Sequence, residues 1–143
     1  GKYMFKVDED GRTIILHRGD KGIIPYSINS SETEKYKFQV GDIVNFIIYA
    51  KKGYAEEPLL NKKIIVEAET EEVNLEFSSE DMEIGEIGNK PITYWYEILL
   101  NNVQTINGYD QDEGPAKLII LPSNKEVWHG VRKSKFFKWK FRK

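Results

Sequence analysis

The sequence predicts an all-β protein folded as a sandwich or a barrel, and two observations support this fold class. Short segments rich in β-branched and aromatic residues recur along the chain, separated by Gly, Asp, Asn and Pro. Apolar residues do not recur at helical spacing over any long segment, so no sizeable helix is expected. We therefore expect about eight short strands in one domain spanning residues 1–143, with a core at about 12–122 and an extension at 123–143.

The strongest predicted strand is Ile43–Tyr49, which follows a turn signal at Val40-Gly41-Asp42. Its side chains alternate between two faces of a sheet. One face carries Val44, Phe46 and Ile48, and the other face is also largely apolar. The pattern is typical of a central strand with at least one face in the core.

A second strong strand is predicted at Ile92–Leu100, where Tyr94, Tyr96, Ile98 and Leu100 share one face. Shorter strands are predicted at Lys2–Val7, Thr13–His17, Ile23–Ile28, Lys62–Ala68, Val73–Phe77 and Lys117–Leu121, and Val103–Ile106 is predicted as a short extended segment. Pro25 should place its strand at an edge or a bulge, because proline cannot donate a ladder hydrogen bond. The predicted connections include a loop at Ala55–Leu60, a single helical turn at Ser78–Met82 and a turn at Asn101-Asn102.

Charge is divided unevenly along the chain. Residues 131–143 carry seven Lys or Arg residues and no acid, whereas the preceding 130 residues carry 14 basic and 23 acidic residues. The chain thus combines a body of charge −9 with a C-terminal segment of charge +7. This asymmetry favours contact between neighbouring copies of the chain, which in a head-to-tail arrangement can close into rings.

The C-terminal segment alternates aromatic and cationic residues. Phe137, Trp139 and Phe141 alternate with Lys138, Lys140 and Arg142. We expect an amphipathic edge strand whose aromatic side covers the core and whose basic side prevents pairing with other chains. The candidate interface residues are Trp128, Lys135, Phe137, Lys138, Trp139, Lys140, Phe141 and Arg142.

Four segments in order carry a family resemblance. They are Arg18-Gly19-Asp20-Lys21-Gly22 before a strand, Phe38-Gln39-Val40-Gly41-Asp42 before Ile43-Val44-Asn45-Phe46, Tyr94-Trp95-Tyr96-Glu97-Ile98, and Gln104-Thr105-Ile106 followed by Leu118-Ile119-Ile120-Leu121-Pro122. Over about residues 12–122 this order is similar to the N-terminal domain of baseplate upper proteins of Gram-positive phages and prophages. The family continues into a longer receptor-side region, whereas this sequence has about twenty further residues.

The resemblance implies an immunoglobulin-like β-sandwich and a structural, non-catalytic role in a phage or prophage tail, a baseplate or a tail-like bacteriocin. The expected partners are other tail or baseplate proteins and further copies of the chain in the particle. The expected location is the virion tail, after synthesis in the host cytoplasm. We expect no cofactor, no metal and no membrane partner, and no nucleic-acid partner.

Two alternatives come from other functional classes. A carbohydrate-binding module would stack aromatic side chains such as Tyr54, Trp95 or Tyr109 on sugar rings. A nucleic-acid-binding β-barrel would use the basic aromatic tail for phosphate contacts and base stacking. The acidic body opposes polyanion binding outside the tail.

Short motifs favour ordinary structural roles. Arg18-Gly19-Asp20 is a cell-adhesion tripeptide if a loop displays it, and otherwise a hairpin turn. The acidic stretches at 8–13 and 110–113 are predicted as solvated turns, because neither completes a calcium-loop pattern. His17 and His129 have no nucleophile motif beside them, so we expect no enzyme activity.

Overall fold

The computed structural model describes residues 5–7, 12–51, 57–106 and 116–122. These residues form nine strands and one turn of 3₁₀ helix, so the fold is all-β as predicted. In chain order the elements are β1 (Lys6–Val7), β2 (Ile14–His17), β3 (Gly22–Tyr26), β4 (Ile43–Tyr49), β5 (Leu60–Ile65), β6 (Val73–Phe77), the 3₁₀ turn (Glu80–Met82), β7 (Ile92–Leu100), β8 (Val103–Ile106) and β9 (Lys117–Leu121).

Seven strands form one large sheet in the order β1-β2-β9-β7-β4-β5. β8 pairs with the second half of β7, whereas β9 pairs with its first half. All neighbours are antiparallel except β2 and β9, which pair in parallel with Ile14 opposite Leu118. The predicted central strand β4 lies between β5 and β7, and pairs with six residues of each.

The other two strands, β3 and β6, form a small antiparallel sheet that covers one face of the large sheet. Phe77 of β6 packs edge-on against Phe46 of β4, with ring centroids 5.0 Å apart. Phe46 also stacks on Tyr96 of β7 at 4.9 Å, and Tyr26 of β3 hydrogen-bonds to Thr105 of β8. The apolar core therefore lies between two layers of sheet, and we call the face of the large sheet that lines it the inner face.

The alternation predicted for the two strongest strands is confirmed. Val44, Phe46 and Ile48 are fully buried, and Tyr94, Tyr96 and Ile98 are at most 4% exposed. All six belong to the main core cluster. In β6 the residues Val73, Leu75 and Phe77 are buried and the two between them are exposed, as the sequence pattern indicates.

Strand boundaries differ from prediction mainly at β5. The prediction began it at Lys62 and assigned Leu60 to a loop, but β5 starts at Leu60 and ends at Ile65. Ile48 lies opposite Leu60, so strand pairing with β4 overrides the loop signal of Pro58. Pro25 lies exposed in a two-stranded sheet, where both strands are edges, in agreement with its predicted position.

The connection between β6 and β7 is fixed by partly buried polar contacts. The Tyr94 hydroxyl accepts a hydrogen bond of 2.9 Å from the backbone N–H of Glu86. The Arg18 guanidinium donates to the carbonyl oxygens of Ile84 (2.7 Å) and Glu86. Gly85 lies between them with φ of +72°, a left-handed conformation that favours glycine. We call this arrangement the β6–β7 corner.

Replacing Gly85 with alanine should destabilise the protein. A Cβ atom there would collide with the ring and hydroxyl of Tyr94, and the positive φ adds backbone strain. We expect the free energy of unfolding to fall by roughly 1–3 kcal/mol, measured by urea denaturation.

Gly88→Ala is the matched control, because its Cβ would make only an ordinary contact of 3.9 Å with Ile92. Equal stability losses in the two variants would contradict the proposed role of Gly85.

Candidate functional site

All eight predicted interface residues, from Trp128 to Arg142, lie outside the residues that the structure describes. The same is true of Tyr54, Tyr109, His129, the acidic stretch 110–113 and most of the stretch 8–13. Of the predicted sugar-stacking residues only Trp95 is described, and it lies half-buried in β7. The predictions that rest on the C-terminal segment therefore stay predictions.

The Arg18-Gly19-Asp20 tripeptide is part of a turn and does not display its arginine. Arg18 is only 7% exposed, and its guanidinium is engaged by the β6–β7 corner. The Asp20 carboxylate accepts a hydrogen bond of 3.0 Å from the backbone N–H of His17. The structure thus favours an ordinary turn over a displayed adhesion motif. The turn is not the predicted hairpin, because it joins β2 of the large sheet to β3 of the small sheet and these strands do not pair.

Within the described residues, no group of three or more His, Asp or Glu side chains is placed to hold a metal ion. His17 is half-buried at the end of β2, and its Nδ1 lies 3.9 Å from the Asp20 carboxylate. Among the described segments, no helix has the length and apolar character needed to cross a membrane.

Two tight turns meet at one end of the large sheet. Gln39–Asp42 is closed by a hydrogen bond of 3.0 Å from the Asp42 N–H to the Gln39 carbonyl, with Gly41 at φ +93°. Asn101 and Asn102 both have positive φ and join β7 to β8 in a two-residue hairpin. We call the surface formed by residues 39–42, 65–66 and 100–103 the turn end.

Hydrogen bonds connect these turns into one rigid platform. The Asn101 side chain accepts from the Ile43 N–H (2.9 Å) and donates to one Asp42 carboxylate oxygen (3.1 Å). The other Asp42 oxygen accepts from the Gln39 N–H (2.9 Å) and from the Tyr36 hydroxyl (2.7 Å). A third connection, 2.9 Å long, joins the Gly41 N–H to the Val66 carbonyl at the end of β5.

The turn end presents three exposed aliphatic side chains. Val40 is 69% exposed, Val103 is 65% exposed and Ile65 is 55% exposed. Ile65 ends β5, Val40 precedes β4 and Val103 begins β8, so all three lie at the same end of the large sheet. Ile65 lies opposite Ile43 on the outward side, whereas Val103 lies opposite Leu100 on the side that faces the small sheet. Turn positions usually carry Gly, Asn, Asp, Pro or Ser, and a valine at such a position is favoured neither by burial nor by turn geometry.

The sequence prediction did not identify this surface, although it contained a signal. Val40 stands inside the Val40-Gly41-Asp42 turn, and Val103 follows the Asn101-Asn102 turn directly. Both were assigned to turns or short extended segments, and the proximity of the two turns depends on the β4–β7 pairing. Only the tertiary structure shows that Val40, Val103 and Ile65 share one end.

A second surface of note is the side of the large sheet that faces away from β3 and β6, which we call the outer face. The central strands β4, β7 and β9 place on it Ile43, Asn45, Ile47, Tyr49, Thr93, Trp95, Glu97, Leu99, Lys117, Ile119 and Leu121. Tyr49 lies opposite Trp95, and its hydroxyl donates a hydrogen bond of 2.7 Å to the buried Glu97 carboxylate.

Comparisons of the chain with protein-family models, with curated proteins and with solved structures found no match.

The Asp42 junction should make stability sensitive to acid. The hydrogen bonds from the Gln39 N–H, the Tyr36 hydroxyl and Asn101 lower the pKa of Asp42 below its ordinary value. The ionised Asp42 carboxylate therefore contributes fully to the free energy of unfolding above the pKa that this group has in the unfolded chain, near 3.8. The contribution is lost as the pH falls through the lower pKa of Asp42 in the folded protein. We expect the melting temperature of Asp42→Asn to fall less between pH 5 and pH 2 than that of the unmodified protein.

Glu32→Gln is the control for this series, since it removes an exposed carboxylate with no part in the junction. If Asp42→Asn shows the same acid dependence as this control and the unmodified chain, the junction does not contribute in the way we describe.

Proposed function

We propose that this chain is a structural, non-catalytic subunit of a phage or prophage tail or baseplate, or of a tail-like bacteriocin. It acts through protein–protein contacts, and the turn end is a contact surface. The observation that carries the proposal is the exposure of Val40 and Val103, which lie on two turns joined by the hydrogen bond between Asn101 and Asp42. The resemblance of residues 12–122 to the N-terminal domain of baseplate upper proteins supports a place in a phage tail or baseplate.

Preorganisation makes the turn end suitable for docking. Its backbone is held by hydrogen bonds at Asp42, Asn101 and Gly41, so little conformational freedom remains to be lost on binding. Aliphatic side chains gain about 25 cal/mol for each Å² that a partner removes from water. A rigid apolar group with charged residues such as Glu67 and Glu69 nearby has the composition of a small interface centre with a polar rim.

We further propose that the fold is an immunoglobulin-like sandwich, in which β3 and β6 correspond to strands B and E, and β4, β5, β7 and β9 to C, C′, F and G. Support comes from the β3–β6 pairing in one layer and from the order β9-β7-β4-β5 in the other. In this assignment β8 is an additional strand within the F–G connection.

A second observation supports the same assignment. Immunoglobulin-like domains carry a tyrosine near the start of strand F whose hydroxyl bonds to backbone a few residues upstream. Tyr94, the third residue of β7, makes this kind of contact with the Glu86 N–H. The β6–β7 corner therefore has the position and the chemistry of a tyrosine corner.

The first experiment is co-sedimentation. Particles are pelleted after treatment of the source bacterium with a DNA-damaging agent, and the pellet is quantified for this chain by mass spectrometry. A stoichiometric amount together with tail proteins is expected. A chain that stays in the supernatant while other tail proteins pellet overturns the proposal.

The turn end is tested by the double variant Val40→Ser/Val103→Ser. Because both side chains are exposed, folding stability should change by less than about 1 kcal/mol. If a partner buries both valines, affinity should fall roughly 100-fold, and recovery of the chain in the particle pellet should fall with it.

Ile87→Ser is the matched control, because Ile87 is 76% exposed and lies next to Glu86 at the opposite end of β7. Normal incorporation of the double variant, or equal losses in both variants, would show that the turn end is not the contact surface.

A carbohydrate-binding module remains the second candidate function, and one observation favours it. Trp95, Tyr49 and Glu97 lie together on the outer face, combining aromatic rings with a carboxylate. Glycan-array binding that is lost in Trp95→Ala would support this candidate. The absence of any bound glycan is the result expected for a structural subunit.

A further inference from the structure

The centre of the outer face is buried although it lies apart from the main core. Ile47 is 6% exposed, Tyr49 is 9% exposed and Glu97 is 6% exposed. Ile47 and Tyr49 do not belong to the core cluster formed between the two layers. Alternation along β4 and β7 places all three on the opposite side of the sheet from Phe46 and Tyr96.

No strand that the structure describes lies across this face. β3 and β6 cover the inner face, and the other described strands are members of the large sheet itself. An antiparallel sheet with one wet face carries polar residues there, yet this face carries Ile43, Ile47, Leu99, Ile119 and Leu121. Its composition is that of a surface covered by another segment of protein.

The segment that matches it in chemistry is residues 123–143. Five aromatic residues occur there, and three of them, Phe137, Trp139 and Phe141, alternate with cationic residues. The aromatic side of such a segment can pack against the apolar residues that β4, β7 and β9 place on the outer face. Glu97 is the one acidic residue that these three strands place on the outer face, and its charge is complementary to the cationic residues of 123–143.

The same chain can supply this segment without strain. β9 ends at Leu121 beside the start of β7, where Ile92 lies opposite Ile120. From Ile92 to Glu97 along β7 is about 17 Å at the rise of an extended strand. The sixteen residues from Pro122 to Phe137 can span about 50 Å when extended, so the aromatic residues reach the centre of the face with length to spare.

We propose that residues 123–143 bind the outer face of the same chain, with the alternating aromatic residues against Ile47, Trp95 and Leu99. Linkage within one chain favours this over binding by a neighbouring copy, because a tethered segment is present at high effective concentration. The inference rests on the composition of the outer face and on the sequence of residues 123–143. It does not depend on the proposal that the chain is a subunit of a phage tail.

The connection between β8 and β9 is another segment outside the described residues that could lie here, and it fits less well. Residues 107–115 contain one aromatic residue, Tyr109, and three acids. An acidic segment close to Glu97 would bring like charges together, which is unfavourable in a partly buried setting.

The experiment uses the full chain, which contains no cysteine and therefore accepts a single label without background. A nitroxide spin label is attached at Ser134→Cys, which leaves every aromatic and charged residue of the tail in place. The broadening of backbone amide signals is then measured by NMR in ¹⁵N-labelled protein. We expect strong broadening at Asn45–Tyr49 and Trp95–Leu99, and little at Asn74–Phe77 in the small sheet.

The same measurement distinguishes residues 123–143 of the same chain from other possible occupants of the outer face. Equal broadening across both sheets overturns the proposal. So does broadening that appears when ¹⁵N-labelled, spin-free chain is mixed with unlabelled spin-carrying chain, because that result requires binding between copies. Outer-face broadening from a label at Gln111→Cys but not from Ser134→Cys would assign the face to residues 107–115 instead.

A second variant tests the chemistry of the contact. Trp139→Ser/Phe141→Ser in the spin-labelled chain removes aromatic surface, and the outer-face broadening should fall at least fivefold. Lys133→Ser/Lys143→Ser is the control that keeps the aromatic residues, and it should retain most of the broadening. Unchanged broadening in the aromatic variant would show that these residues do not hold the tail on the face.

Discussion

The pairing of β4 with β7 is the contact on which the other elements depend. Six residue pairs run along it, and both strands contribute to the inner and the outer face of the large sheet. On the inner face Phe46 stacks on Tyr96 and receives Phe77 from the small sheet, so one aromatic group joins three strands and two layers. β5, β8 and β9 then pair with the free sides of β4 and β7.

The two ends of β7 are closed by different chemistry. At its start, Tyr94 and Arg18 bind the backbone of the β6–β7 corner and leave room for no side chain at Gly85. At its end, Asn101 bridges Asp42 and the Ile43 backbone. Both arrangements satisfy backbone groups that a strand end would otherwise leave to water, which explains why polar side chains are retained there.

Strand positions could be predicted from the sequence because each strand carries a local signal. The period-2 pattern and β-branched content of Ile43–Tyr49 and Ile92–Leu100 depend only on neighbouring residues, and their bounds agree with β4 and β7. The start of β5 at Leu60 could not be predicted, because it is set by pairing with Ile48 in a distant part of the chain. For the same reason the sequence does not predict the turn end, since only the sheet order places Val40, Ile65 and Val103 at the same end of the large sheet.

The parallel pairing of β2 with β9 has a consequence for how the molecule is made. Ile14 is among the first core residues to leave the ribosome, whereas its partner Leu118 is among the last. Until β9 is synthesised, β2 can pair only with the two residues of β1, and the first half of β7 has one open edge. Contacts between such distant residues slow folding, and open edges in the nascent chain can pair with other chains. Closure of the large sheet is therefore a late event in the synthesis of the chain.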